Sequence, residues 1–139
     1  MKPLISIILI AFAAANVPAP AADNEAITKA RAAANSWLLL TDSSQFSKSW
    51  EEAAAYFRAA VTQADWEKSM KAHRSPLGAM KARKVKSATF ARSLPGAPDG
   101  EYVVIQFDTQ FENKASAVET VTPMREKDGS WRVSGYYIK

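Results

Sequence analysis

The spacing of apolar residues changes from helical to strand-like partway along the chain. Between Glu25 and Leu40, Ile27, Ala30, Ala34, Trp37 and Leu38 form the stripe of an amphipathic helix, and the alanines among residues 30–34 add intrinsic helix propensity. Thr41-Asp42-Ser43-Ser44 interrupts it with turn- and cap-forming residues. Phe46, Trp50, Ala53, Ala54 and Phe57 then recur at helical spacing and predict a second core-facing helix. A third begins at a capping box, Thr62 with Asp65, with Val61 and Trp66 placed as a hydrophobic staple. It carries Trp66, Met70 and His73 on one face and ends before Pro76.

After Pro76 the period becomes two. Arg83–Leu94 is a weakly patterned strand whose lysines and arginines suit a sheet edge. Val103, Ile105, Phe107, Thr109 and Phe111 alternate with polar residues along the next strand. Asp128-Gly129 predicts a two-residue type I′ hairpin ahead of the last one. The middle hairpin sets the faces. A two-residue Asn113-Lys114 turn puts Phe107 opposite Thr120, whereas a three-residue loop swings Glu119 inward opposite Phe107. Burying an unpaired carboxylate is costly, so the expectation is the two-residue register. The predicted fold is α+β: about three N-terminal helices packed on a curved, cone-like, four-stranded antiparallel sheet.

The first residues stand apart from this pattern. Lys2, the apolar run from Leu4 to Ala15 and Ala19-Pro20-Ala21 follow the order of a secretory signal peptide. The run is shorter than the roughly 20 apolar residues of a membrane span. Cleavage is expected after Ala21, or alternatively after Ala15, and the protein is expected to be periplasmic or secreted. Residues 22–139 are read as one α+β domain. With no cysteine among the 139 residues, the core must stabilise the chain without disulfides, and thiol chemistry and cysteine-ligated metals are excluded. The net charge of +4 is mild and lacks a concentrated basic stripe, so no nucleic acid is expected. Nor does any spacing suggest a metal, nucleotide or redox cofactor.

Candidate chemistry is sparse. His73, the one histidine, suits either the dipole at a helix C-terminus or general-base work. In the two-residue register Asp108 faces Glu119 across the outer surface. Such a pair is either two solvated acids or an acid–base or cation-binding couple. Glu119 or Asp108 with Tyr137 or His73 are thus the catalytic candidates, and Trp66, Met70, Phe107, Thr120, Trp131 and Tyr137 are the candidate lining of a ligand pocket. The same register gathers Val104, Val121, Tyr136 and Ile138 into an outer apolar strip, a candidate homodimer surface. Two functions remain open: a non-enzymatic exported module binding a small apolar ligand or an envelope protein, and an isomerase, dehydratase or cyclase using an acid in a helix–sheet cavity.

Several motifs along the mature chain carry a resemblance. They are Trp50, Trp66, Arg74-Ser75-Pro76-Leu77-Gly78, Leu94-Pro95-Gly96, Pro98-Asp99-Gly100-Glu101-Tyr102, Phe111-Glu112-Asn113-Lys114, Glu119-Thr120-Val121-Thr122, and Asp128-Gly129 with Trp131-Arg132-Val133-Ser134-Gly135-Tyr136. Together they resemble the bacterial domain-of-unknown-function family 4019. The resemblance implies a small exported globular protein and supplies no activity. The layout is also similar, at fold level, to the cystatin-like and nuclear-transport-factor-2-like cone, which hosts isomerases and cyclases.

Overall fold

The computed structural model describes residues 21–139; the predicted leader lies, apart from Ala21, outside the described residues. Helix α1 (Ala21–Asp42) buries Ala26, Ala30, Ala34, Trp37, Leu38, Leu40 and Thr41, the predicted stripe continued at its C-terminal end, with Ala26 buried and the expected Ile27 half-buried. The expected second helix is two short ones, α2 (Phe46–Glu51) and α3 (Ala55–Ala60). The break has a physical cause. Ala53 and Ala54 are fully buried, and the Ala54 N–H leaves the helical ladder to donate to the Val133 carbonyl at 2.8 Å. Helix α4 (Gln63–His73) starts on the predicted cap, with Thr62 Oγ1 accepting from the Asp65 N–H at 3.2 Å, and a 3-10 turn (Ser75–Leu77) follows.

Four strands then form an open antiparallel meander in the order β1 (Met80–Ala91), β2 (Tyr102–Phe111), β3 (Lys114–Arg125), β4 (Trp131–Ile138). One sheet face takes the helices. Its Val103, Ile105, Phe107, Val121 and Val133 join Trp37, Leu38, Phe46, Phe57, Trp66 and Met70 in a shared core. Three indole N–H groups inside or beside the core are satisfied by main chain or hydroxyl: Trp37 Nε1 donates to Ser49 O (2.8 Å), Trp66 Nε1 to Ser49 Oγ (3.0 Å) and Trp50 Nε1 to Val61 O (2.8 Å). Such partners offset the cost of taking an indole N–H out of water.

Two hairpins depart from the sequence expectation. The middle turn is Glu112-Asn113, one residue earlier than Asn113-Lys114, so Phe111 pairs with Lys114. An irregularity beyond it adds one residue to β3, and Phe107 then pairs with Glu119, Ile105 with Val121 and Tyr102 with Met124. The net slip is one residue from the predicted register, which exchanges the faces of β3. Glu119 and Val121 point to the core and are 0% exposed, while Asp108 stands opposite Val118. The last turn is a three-residue loop over 127–129. Glu126 pairs with Ser130, the Gly129 N–H bonds the Glu126 carbonyl, and Gly129 takes φ +87°. This is a type I turn closed by a left-handed glycine rather than type I′. A further irregularity after Thr122 restores the Thr120–Tyr137 pairing and turns Tyr136, instead of Tyr137, toward α1.

The predicted outer strip is therefore dismantled. Val121 is in the core, Tyr136 packs edge-on against Trp37 with centroids 5.2 Å apart, and Ile138 pairs beside the inward Glu119. The Asp108–Glu119 acid pair is dissolved by the same slip.

Candidate functional site

Glu119 is the organising group of a buried polar network. Its Oε1 accepts from Arg83 Nε (2.7 Å) and Thr109 Oγ1 (2.6 Å), and its Oε2 accepts from the Tyr136 hydroxyl. Arg83 also forks onto Asp42, with Nη1–Oδ2 at 2.7 Å and Nη2–Oδ1 at 2.9 Å. Arg74 reaches the same Asp42 Oδ1 at 3.3 Å, donates to the Gly78 carbonyl at 2.7 Å, and lies 4.5 Å over the Phe111 ring. Two guanidinium groups and two carboxylates thus meet where the end of α1, the end of α4 and all four strands converge.

Burial pulls the Arg83 pKa down, but hydrogen bonds to Asp42 and Glu119 outweigh it and hold the guanidinium above its ordinary value. Burial is also the largest influence on Tyr136; the neighbouring Glu119 adds to it, and the hydroxyl is held well above the ordinary tyrosine range. Tyr136 consequently stays protonated and donating at neutral pH.

Next to this network, between the last turns of α4 and the end of β4, lies a partly open cavity of about 380 Å³. Its walls are Trp66, Met70, Leu77, Tyr136, Tyr137 and Ile138, and its polar groups are Ser69, His73, Arg74, Lys114 and Lys139. The hairpin tip fixes its floor. Asn113 donates its N–H to the Leu77 carbonyl (2.9 Å) and its side-chain amide to the Pro76 carbonyl (3.0 Å). Gly78 permits that approach: it sits at φ +75°, and a Cβ there would stand 3.0 Å from Glu112.

The sequence candidates divide around this cavity. Trp66, Met70, Tyr137 and His73 line it. Phe107 is deep in the core, Thr120 lies on the opposite sheet face, and Trp131 lines separate depressions near α1. Asp108 lines a shallow outer groove with Arg83 and Lys84. Glu119 is behind the Tyr136 wall rather than in the cavity. The reason for preferring it outside, an unpaired buried charge, does not apply because Arg83 is on the same face. Sequence reading missed Asp42, Arg74, Arg83 and Thr109. The available signal was opposite charge at inward positions of β1 and β3, which solvated-edge composition masked.

Among the described residues no cluster of three or more histidines or acids could hold a metal, and no helix is long and apolar enough to cross a membrane. No curated protein and no solved structure matches the chain. The family described as "Protein of unknown function (DUF4019)" matches residues 33–136, which include the end of α1, the whole Asp42–Glu119 network and the cavity walls through Tyr136. The chain belongs to this family.

Proposed function

We propose that the protein is an exported binding module that holds a small, largely apolar molecule in the α4–β4 cavity. The observation that carries this reading is the cavity itself. At about 380 Å³ it lies in the roughly 300–1,000 Å³ range of small-molecule sites, with aromatic and aliphatic walls and a few polar groups at its margin. The acid-dependent alternative has less support: no acidic side chain is among the lining residues, and Glu119, the carboxylate bonded to the Tyr136 wall, is consumed by Arg83, Thr109 and Tyr136. Export rests on the leader pattern of residues 1–21.

Titration with the neutral fluorescent probe N-phenylnaphthylamine tests binding. Saturable enhancement is expected, weakened severalfold by Leu77→Glu, which puts a charge into the wall, and by Tyr137→Ala. Absence of saturable enhancement, or identical titrations for the folded variants, overturns the reading. N-terminal sequencing of the protein from fractionated cells tests export; a mature chain beginning at Ala22 is expected, and an intact Met1 on cytoplasmic protein overturns it.

A further inference from the structure

We infer that the cavity takes an amphipathic anion, a small carboxylate with an apolar body, rather than a neutral molecule; this rests on the binding reading above. The lining is asymmetric in charge. His73, Arg74, Lys114 and Lys139 all border the cavity, and no aspartate or glutamate side chain does, although Lys139 brings its own main-chain carboxylate beside its ammonium. The network explains the Nη groups of Arg74, which are taken up by Asp42 and Gly78. It does not explain the others. Among the described residues, none of the ion pairs or side-chain hydrogen bonds engages His73, Lys114 or Lys139.

Lys114 matters most, because it is half-buried at the first position of β3 and no ion pair or side-chain hydrogen bond engages it. Lys139 is held by its main chain, which exchanges N–H···O bonds with Val118 at 2.9 and 3.0 Å, and the residue lines the cavity at the end of β4. A carboxylate placed there gains charge-assisted hydrogen bonds, while Trp66, Met70, Leu77 and Ile138 cover an apolar tail. A neutral ligand of the same shape gains only the second term. The Tyr136 hydroxyl is committed to Glu119, so selectivity for the head group falls to the basic margin.

Calorimetric titration of the full chain with decanoate and with 1-decanol, its uncharged counterpart, tests the inference. Decanoate is expected to bind more tightly, with an affinity that falls as salt rises. Lys114→Gln and Lys139→Gln should each weaken decanoate about two- to fivefold, the range of a partly exposed ion pair, and leave 1-decanol unchanged. Equal binding of both compounds, or decanoate binding indifferent to salt and to both substitutions, overturns the charge inference while leaving the cavity as an apolar site. Failure of both compounds to bind overturns the binding reading with it.

Discussion

Glu119 shows how much a single side chain depends on partners supplied from far along the chain. Its carboxylate is fully buried, and its charge is matched by Arg83, which lies 36 residues away in sequence. Removing one member of a buried pair strands the other, at about 3–5 kcal/mol. Glu119→Leu should therefore lower unfolding free energy by about that amount in urea denaturation. Arg83 also forks onto Asp42, so Glu119→Leu combined with Arg83→Met should lose less than the sum of the two single variants, since both remove the same Glu119–Arg83 contact. Strict additivity of the two single losses would contradict the coupling.

Tyr136 adds a pH signature. Its folded-state pKa is raised, mainly by burial and then by Glu119, above the unfolded value of about 10. The stabilisation is thus fully present below about pH 10 and is lost as pH rises further, because the unfolded state releases the proton first. Tyr136→Phe should cost about 1–3 kcal/mol at neutral pH through the lost partner of Glu119 and should flatten the alkaline decline. Tyr102 is also raised, by burial first, so wild type and variant are to be compared on the same pH series.

At the scale of elements, local chemistry and tertiary demands are separable. The α4 cap is local: Thr62 bonds the Asp65 N–H whatever the rest of the chain does. Thr62→Ala should cost about 1 kcal/mol, measurable as a lower urea midpoint with an unchanged m-value. The last hairpin is also local. Gly129 adopts φ +87°, and forcing an L side chain there costs about 1–2 kcal/mol, so Gly129→Ala should be destabilising although its Cβ would meet nothing closer than Arg125 at 3.7 Å. The split between α2 and α3 is different in kind. Its spacing reads as one helix, yet the Ala54 N–H is drawn out to β4. A hydrogen bond to another element outweighs the local preference of two alanines.

Across the whole molecule, helices and sheet share one core. Trp37 of α1 touches both Trp66 of α4 and Tyr136 of β4, and the Asp42–Arg83–Glu119 links cross the same boundary. Neither layer can keep its buried face when the other is lost. Far-UV circular dichroism, which reports the helices, and tryptophan fluorescence should therefore give coincident denaturant transitions. A helical signal that persists after the fluorescence change would show that the layers separate.

Period and punctuation in the chain by themselves determined the α+β class, the order of elements, the α4 cap and the apolar face of β2, because each depends on residues a few positions apart. The membership of Trp66, Met70, His73 and Tyr137 in one cavity, the inward turn of Glu119 and the division of the second helix were decided only in the tertiary structure. The register of β3 is the clearest case. The pattern Ala117-Val118-Glu119-Thr120-Val121-Thr122 offers a plausible face either way, and the choice turns on whether a buried carboxylate is paired. That depends on Arg83 and Asp42, which reach Glu119 only when β1, β3 and the end of α1 are assembled, since the energy of a charge is set by its surroundings in space rather than by its neighbours in sequence.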